Sequence, residues 1–143
     1  MIYKIIAKII TQRLKPILSK VILEEQFGFL FNKQIHDVVY LASEAIHSIK
    51  REKQPTFSLK IDLSKAYDRV SWTFIHLLLI QIGMSLEMVE WILGCIQSTS
   101  FAVLINGAPS HFFFLARGLR QDFPLSPFLF LLVAEALSRI IQK

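Results

Sequence analysis

Cysteine is nearly absent: Cys95 stands alone in 143 residues, which excludes an internal disulfide and a cysteine-based zinc site. Its place in an apolar helical run makes it a small core residue. A reducing, intracellular compartment, cytoplasmic or nuclear, is the expectation. Long apolar runs are also missing. A membrane helix needs roughly 18 to 20 uninterrupted apolar residues, and the best candidate, Phe128 to Ala134, is broken by Glu135. The isoleucine-rich N-terminus carries Lys4, Lys8 and Arg13 at helical intervals, so it is no signal-peptide core either. His36, His47, His76 and His111 lack metal-ligand spacing and read as surface or capping residues. Acidic residues are the minority, 11 against 16 basic ones, for a formal charge of +5. That balance fits a polyanionic partner such as nucleic acid, and equally fits plain solubility.

Apolar residues, by contrast, are in surplus. They make up 53% of the chain, with 12 phenylalanines and a mean hydropathy of +0.48, above an average soluble domain. With no membrane span to absorb it, the surplus points to core-facing surface whose partner lies outside this chain. No internal repeat divides the sequence, which is one domain or a piece of one.

Periodicity predicts an amphipathic helix over residues 1–22, with Ile2, Ile5, Ile6, Ile9, Leu14, Ile17, Leu18 and Val21 as its stripe. Pro16 is expected to kink or split it. A loop around Gly28 follows, then a helix from Ile35 to Lys50 with Val38, Val39, Ala42, Ile46 and Ile49 inward. Phe57, Leu59 and Ile61 alternate with Ser58, Lys60 and Asp62, which predicts a strand with a polar face. Ser71 and Ser85 are expected helix caps, the first for Trp72 to Ile82, a helix stopped by Gly83. The second helix buries Met88, Val89, Ile92 and Ile96. Phe101–Ile105 and Phe112–Leu115 flank Asn106-Gly107, the signature of a β-hairpin. A loop over Arg117–Leu125 leads to a last helix with Ser126 as cap and Pro127 at its first position. The class is α+β.

A carboxylate leaving a strand on its polar face, as Asp62 does, is either a Mg²⁺ ligand or the cap of the following turn. Asp68 likewise reads as a second metal group or as half of a surface ion pair with Arg69. The surrounding residues are more specific. Lys60-Ile-Asp-Leu-Ser-Lys-Ala-Tyr-Asp-Arg-Val70 resembles the first polymerase motif of reverse transcriptases from non-LTR retrotransposons, of the plant long-interspersed type. Gln12–Pro16 resembles the lead-in of that family, and Gln26, Gly28, Phe29 and Gln34–Asp37 its fingers loop. Leu104-Ile-Asn-Gly107 resembles its hairpin. Arg117-Gly-Leu-Arg-Gln121 with Pro124–Pro127 resembles the second polymerase motif, and Val133–Ala136 the helix after it. The resemblance covers nearly all of residues 1–143, which then form the fingers and palm part of a reverse transcriptase domain.

That resemblance implies RNA-directed DNA polymerisation with Mg²⁺, an RNA template, a DNA primer and deoxynucleoside triphosphates. Asp62 corresponds to the first metal-binding, catalytic aspartate, and the Leu63 carbonyl helps hold the nucleotide-bound metal. Tyr67 resembles the aromatic gate that excludes a 2′-hydroxyl, or else is a core aromatic with its hydroxyl at the rim. Gln121 corresponds to a nucleotide-pocket glutamine, with Arg120 and Lys33 as phosphate contacts. Arg117 is structural or faces the template, and His36-Asp37 either touches template or caps its helix.

Three departures stand beside the matches. The sequence stops at Lys143, before the Ala-Asp-Asp hairpin expected next, so the metal site is expected to be incomplete and this chain inactive alone. A nucleic-acid-binding remnant without chemistry, or a non-functional retroelement fragment, are the alternatives. Asp122-Phe123 replaces Gly-Asp, which sets charge and bulk near a triphosphate unless Phe123 packs inward and reshapes the pocket. Phe31-Asn32-Lys33 replaces Pro-Gly-Arg, and lysine lacks the bidentate geometry of arginine.

Overall fold

The structure is a computed structural model, and it describes residues 2–23, 35–53, 55–57 and 59–142. The expected loop around Gly28, with Lys33, lies outside the described residues. Four helices build the core: α1 (Ile2–Val21), α4 (Trp72–Gln81), α5 (Leu86–Gln97) and α6 (Ser126–Ile141). Two others, α2 (Ile35–Glu52) and the single turn α3 (Ala66–Arg69), lie between α1 and α4 in the chain. Both α1 and α4 pack against α5 and α6, so the four form a closed ring. Each fully buried leucine or isoleucine inside it, such as Leu14, Leu79, Ile92 and Leu129, contributes about 1.5–3 kcal/mol relative to exposure. With short antiparallel strands beside these helices, the α+β class holds. No helix among the described residues is long and apolar enough to cross a membrane.

Local signals worked well at helix ends. The Ser71 hydroxyl accepts from Phe74 N and that of Ser85 from Met88 N, both at 3.4 Å, each satisfying an otherwise orphaned amide of the first turn. Gly83 ends α4 with φ +84°, and Met84 N closes the turn on the Leu79 carbonyl. Ser126 differs from expectation. The cap position falls on Leu125, and Ser126 is the first helical residue, fully buried with no partner for its hydroxyl among the described residues.

Burial departs from expectation in α1 and α2. In α1 the inward stripe runs through Ala7, Ile10, Thr11, Leu14, Leu18 and Ile22, a spacing of three and four that passes between the isoleucines first picked. Ile5 and Ile9 are instead 56% and 49% exposed. Thr11 is tolerated inside because its hydroxyl donates to the Ala7 carbonyl at 2.7 Å. Pro16 does not split α1, which continues through it to Val21. Pro16 is exposed, so the carbonyl one turn back that loses its donor can turn to water. In α2 the expected inward residues Val39, Ala42, Ile46 and Ile49 are all exposed, and no α2 side chain among the described residues belongs to the core. Amphipathic sequence made the helix, yet no described element covers its apolar side.

The expected strand at 57–62 is not a strand. Its described residues have no regular secondary structure and are unpaired, with Phe57 91% exposed. A strand exists only through a ladder to a neighbour, and none of the described residues provides one. The hairpin does form. β2 (Leu104–Ile105) and β3 (Ala108–Pro109) pair across Asn106-Gly107, both at positive φ, +51° and +84°, as a tight hairpin turn requires. Further out, β1 (Ser100–Phe101) pairs with β4 (Phe113–Phe114). The register shifts by one residue between these ladders, so an extra residue bulges the returning strand. The Ser110 hydroxyl accepts from Val103 N at 2.9 Å across that interruption.

Cys95 is buried in α5, as expected. Burial pushes its thiol pKa up, so the folded chain holds a protonated, unreactive sulfur. Iodoacetamide near about pH 8 is expected to alkylate the folded chain at least about tenfold more slowly than the urea-unfolded chain. Since the folded pKa lies above the unfolded one, stability is unaffected below the ordinary thiol value and erodes as pH rises from there.

Candidate functional site

The described candidate residues fall on two segments joined by backbone hydrogen bonds. The first runs from Lys60 to Val70. Asp62 and Leu63 sit in its irregular first part, both exposed. Lys65 then turns the chain at φ +51°, and α3 follows as one turn. The second loop is 117–125, ahead of α6. Leu119 N donates to the Tyr67 carbonyl and Gly118 N to the Val70 carbonyl, both at 2.8 Å. The Trp72 indole N–H donates to the Gly118 carbonyl at 2.7 Å. Gly118 has φ +96°, and a Cβ there would meet the Asp68 carbonyl oxygen at 3.0 Å. Only glycine allows this approach.

Tyr67 points from α3 onto α6, where its ring stacks on Phe130 at 4.7 Å between centroids. It is half-buried, and desolvation raises its pKa, so it remains a neutral phenol. One face of the ring is thus covered by Phe130 of α6.

A cavity of about 290 Å³ opens beside this junction, lined by Asp68, Phe101, Leu115 and residues 117–121. It brings together Arg120 and Gln121. Arg120 is held on several sides. Its guanidinium donates to the Thr99 hydroxyl at 3.3 Å and to Asp122 at 3.5 Å, and lies 5.9 Å from the ring centroids of both Phe101 and Phe123. Such cation–π contacts hold a guanidinium while leaving donors free. Gln121 is exposed at the rim. Asp68 lines the cavity and makes no ion pair with Arg69 among the described residues. Asp62, Leu63 and Tyr67 do not line it.

Phe123 packs inward, 2% exposed, and stacks on Tyr3 of α1 at 5.1 Å. Asp122 stays at the surface, 3.7 Å from the Lys4 ammonium. This dipeptide thus ties the loop to the first turn of α1. Thr99 and Phe101, the partners of Arg120, escaped sequence reasoning because contact across about twenty positions leaves no local signal. Among the described residues no group of three His, Cys, Asp or Glu side chains could hold a metal ion.

Comparison with known proteins bears on the whole chain. Residues 1–143 match the family described as reverse transcriptase (RNA-dependent DNA polymerase). A transposon TX1 uncharacterized 149 kDa protein of Xenopus laevis is 30% identical over 141 residues, covering 99% of this chain and 11% of its own length. The Pol polyprotein of a type-1 retrotransposable element R2 from Popillia japonica is 29% identical over 118 residues, 81% of this chain and 16% of that protein. An uncharacterized mitochondrial protein of Arabidopsis thaliana, AtMg01250, is 50% identical over 40 residues, 28% of this chain and 33% of that one. The chain spans well under a fifth of the first two relatives it matches. Its motifs and its relatives agree: the chain belongs to the reverse transcriptase family, as a reverse transcriptase domain of non-LTR retrotransposons.

Proposed function

We propose that this chain supplies the nucleotide-facing part of an RNA-directed DNA polymerase, which adds deoxynucleotides to a DNA primer on an RNA template. The observation that carries the reading is the backbone junction between 67–70 and 118–119. It sets Arg120 and Gln121 on a cavity next to the loop that bears Asp62 and Tyr67. Arg120 has the planar donors a phosphate oxygen takes. The Gln121 amide, at the rim, can donate and accept toward a sugar or base. Tyr67, stacked on Phe130, is the ring that would stand beneath an incoming sugar and reject a 2′-hydroxyl by contact.

Mg²⁺ is the ion this chemistry uses, and the described residues do not fit it by themselves. Asp62 and the Leu63 carbonyl are the oxygen donors in the expected place. Two-metal transfer holds each ion through several oxygens, with more than one carboxylate. Asp62 belongs to no group of three or more His, Cys, Asp or Glu side chains that could hold a metal among the described residues. Transfer would therefore depend on carboxylates beyond these, while binding would not.

Photolabelling with an azido-deoxynucleotide in the presence of RNA template and DNA primer tests the reading. The expected label falls within residues 101–121 and drops about tenfold in Gln121→Ala, the loss of one or two oriented hydrogen bonds. Primer extension by the isolated chain is expected to equal that of Asp62→Ala. Absence of the label would refute the binding role, and Asp62-dependent extension would refute the incompleteness of the metal site. Template–primer affinity should also fall steeply with added salt.

A further inference from the structure

Of the two guanidinia on the cavity, Arg117 and Arg120, Arg120 is the one that makes an ion pair among the described residues. Asp122, two residues on, lies 3.5 Å from it. The same carboxylate lies 3.7 Å from Lys4 on α1. Phe123, buried against Tyr3, anchors the backbone beside Asp122 and so keeps the carboxylate near both cations. Arg120 is a quarter exposed, its side chain at 26%, whereas Asp122 and Lys4 are mostly in water. A carboxylate with two cationic neighbours divides its attraction between them.

We propose that Asp122 is a built-in counter-anion of the Arg120 cavity: it competes with polyphosphate for the guanidinium, and Lys4 tunes that competition by drawing the carboxylate toward α1. The inference rests on the reading of the cavity as phosphate-facing. It makes Asp122 a positioning residue for bound ligand, acting through Arg120. A charge this close to an incoming polyanion, partly screened by solvent, alters affinity by about fivefold. Neutralising Lys4 releases the carboxylate toward Arg120 and weakens binding by about twofold, as suits an exposed pair.

The test is calorimetric titration of the full 143-residue chain with inorganic tripolyphosphate, a probe with no base or sugar. Asp122→Asn keeps shape and removes charge, and is expected to bind about fivefold tighter. Glu87→Gln, which changes net charge equally from the first turn of α5, is expected to leave affinity unchanged. Arg120→Gln in the Asp122→Asn background is expected to erase the gain. Lys4→Gln moves affinity the other way and serves equally if Asp122→Asn fails to fold. Equal gains from Glu87→Gln and Asp122→Asn would overturn the proposal, since only total charge would then matter. So would a gain that survives loss of Arg120, or unchanged binding in Lys4→Gln. If tripolyphosphate follows the expected pattern while the deoxynucleotide photolabel is absent, the polymerase reading fails and the counter-anion stands. The reverse result removes the counter-anion alone.

Discussion

Gly118→Ala is expected to lose about 3–4 kcal/mol of unfolding free energy, the sum of a positive-φ penalty and a forced steric displacement. The backbone at Gly118 sits at φ +96°, and the added methyl carbon would approach the Asp68 carbonyl oxygen at 3.0 Å and its Cα at 3.2 Å. Both neighbours are backbone, so no side chain can swing aside. The shift must instead part the two loops, along with the bonds from Gly118 N to Val70, Leu119 N to Tyr67 and the Trp72 indole to Gly118. Gly83→Ala is the matched control. It has φ +84° and nothing within 4 Å of the new carbon, so it should cost only about 1–2 kcal/mol. Urea unfolding followed by tryptophan fluorescence measures both, with Trp72 reporting on the junction. Equal losses at the two glycines would show that the close approach to Asp68 carries no weight. Because Arg120 and Gln121 lie two and three residues after Gly118, tripolyphosphate binding is expected to fall in Gly118→Ala and not in Gly83→Ala.

Features decided within a few residues were legible in the chain, and features decided by distant partners were not. Ser71, Ser85, Gly83 and Asn106-Gly107 act on their own turns, through a hydroxyl or a permitted φ, and each sits where its chemistry predicts. The isoleucines of α1 misled because many of them are available. Which face turns inward depends on α5 and α6, and that choice fell on Ala7, Ile10, Leu14 and Leu18. Phe57, Leu59 and Ile61 have strand periodicity, yet a strand also needs a neighbour. Exposed α2 and this unpaired segment carry much of the apolar surplus seen in the composition. Asp62, Leu63, Tyr67, Arg120 and Gln121 are candidates named by resemblance. Their surroundings were not named: the Phe130 stack under Tyr67 and the Thr99 and Asp122 partners of Arg120 arise from tertiary contact, and of the two readings open for Phe123 tertiary packing chose the inward one.

The junction of α1 with α6 should prove the other strong dependence. Glu135 is 2% exposed, and its carboxylate accepts from Arg139 Nε at 2.6 Å and from Leu23 N at 3.2 Å. Arg139 also donates from Nη2 to the Val21 carbonyl at 2.6 Å, so it satisfies the last residue of α1, where a cation meets the negative end of the helix dipole. Neither residue is placed in the binding cavity, so stability is the readout. Arg139→Ala strands a buried carboxylate beside the end of α1. Removing one partner of a buried pair costs about 3–5 kcal/mol, and the half-exposure of Arg139 brings the expectation here to about 2–3 kcal/mol because water screens that side. Glu135→Ala leaves its partner in reach of water and should cost less, about 2 kcal/mol, from the lost charged hydrogen bonds and a small void. Glu135→Gln keeps the volume and an acceptor for Leu23 N, and should fall between Glu135→Ala and the parent. The double alanine variant decides whether the two act as a unit. If they do, it should be about 1–2 kcal/mol more stable than the two single losses together imply, because the stranded carboxylate is then gone. Strict additivity would mean that the carboxylate and the guanidinium hold α1 independently, each through its own bond to Leu23 or Val21.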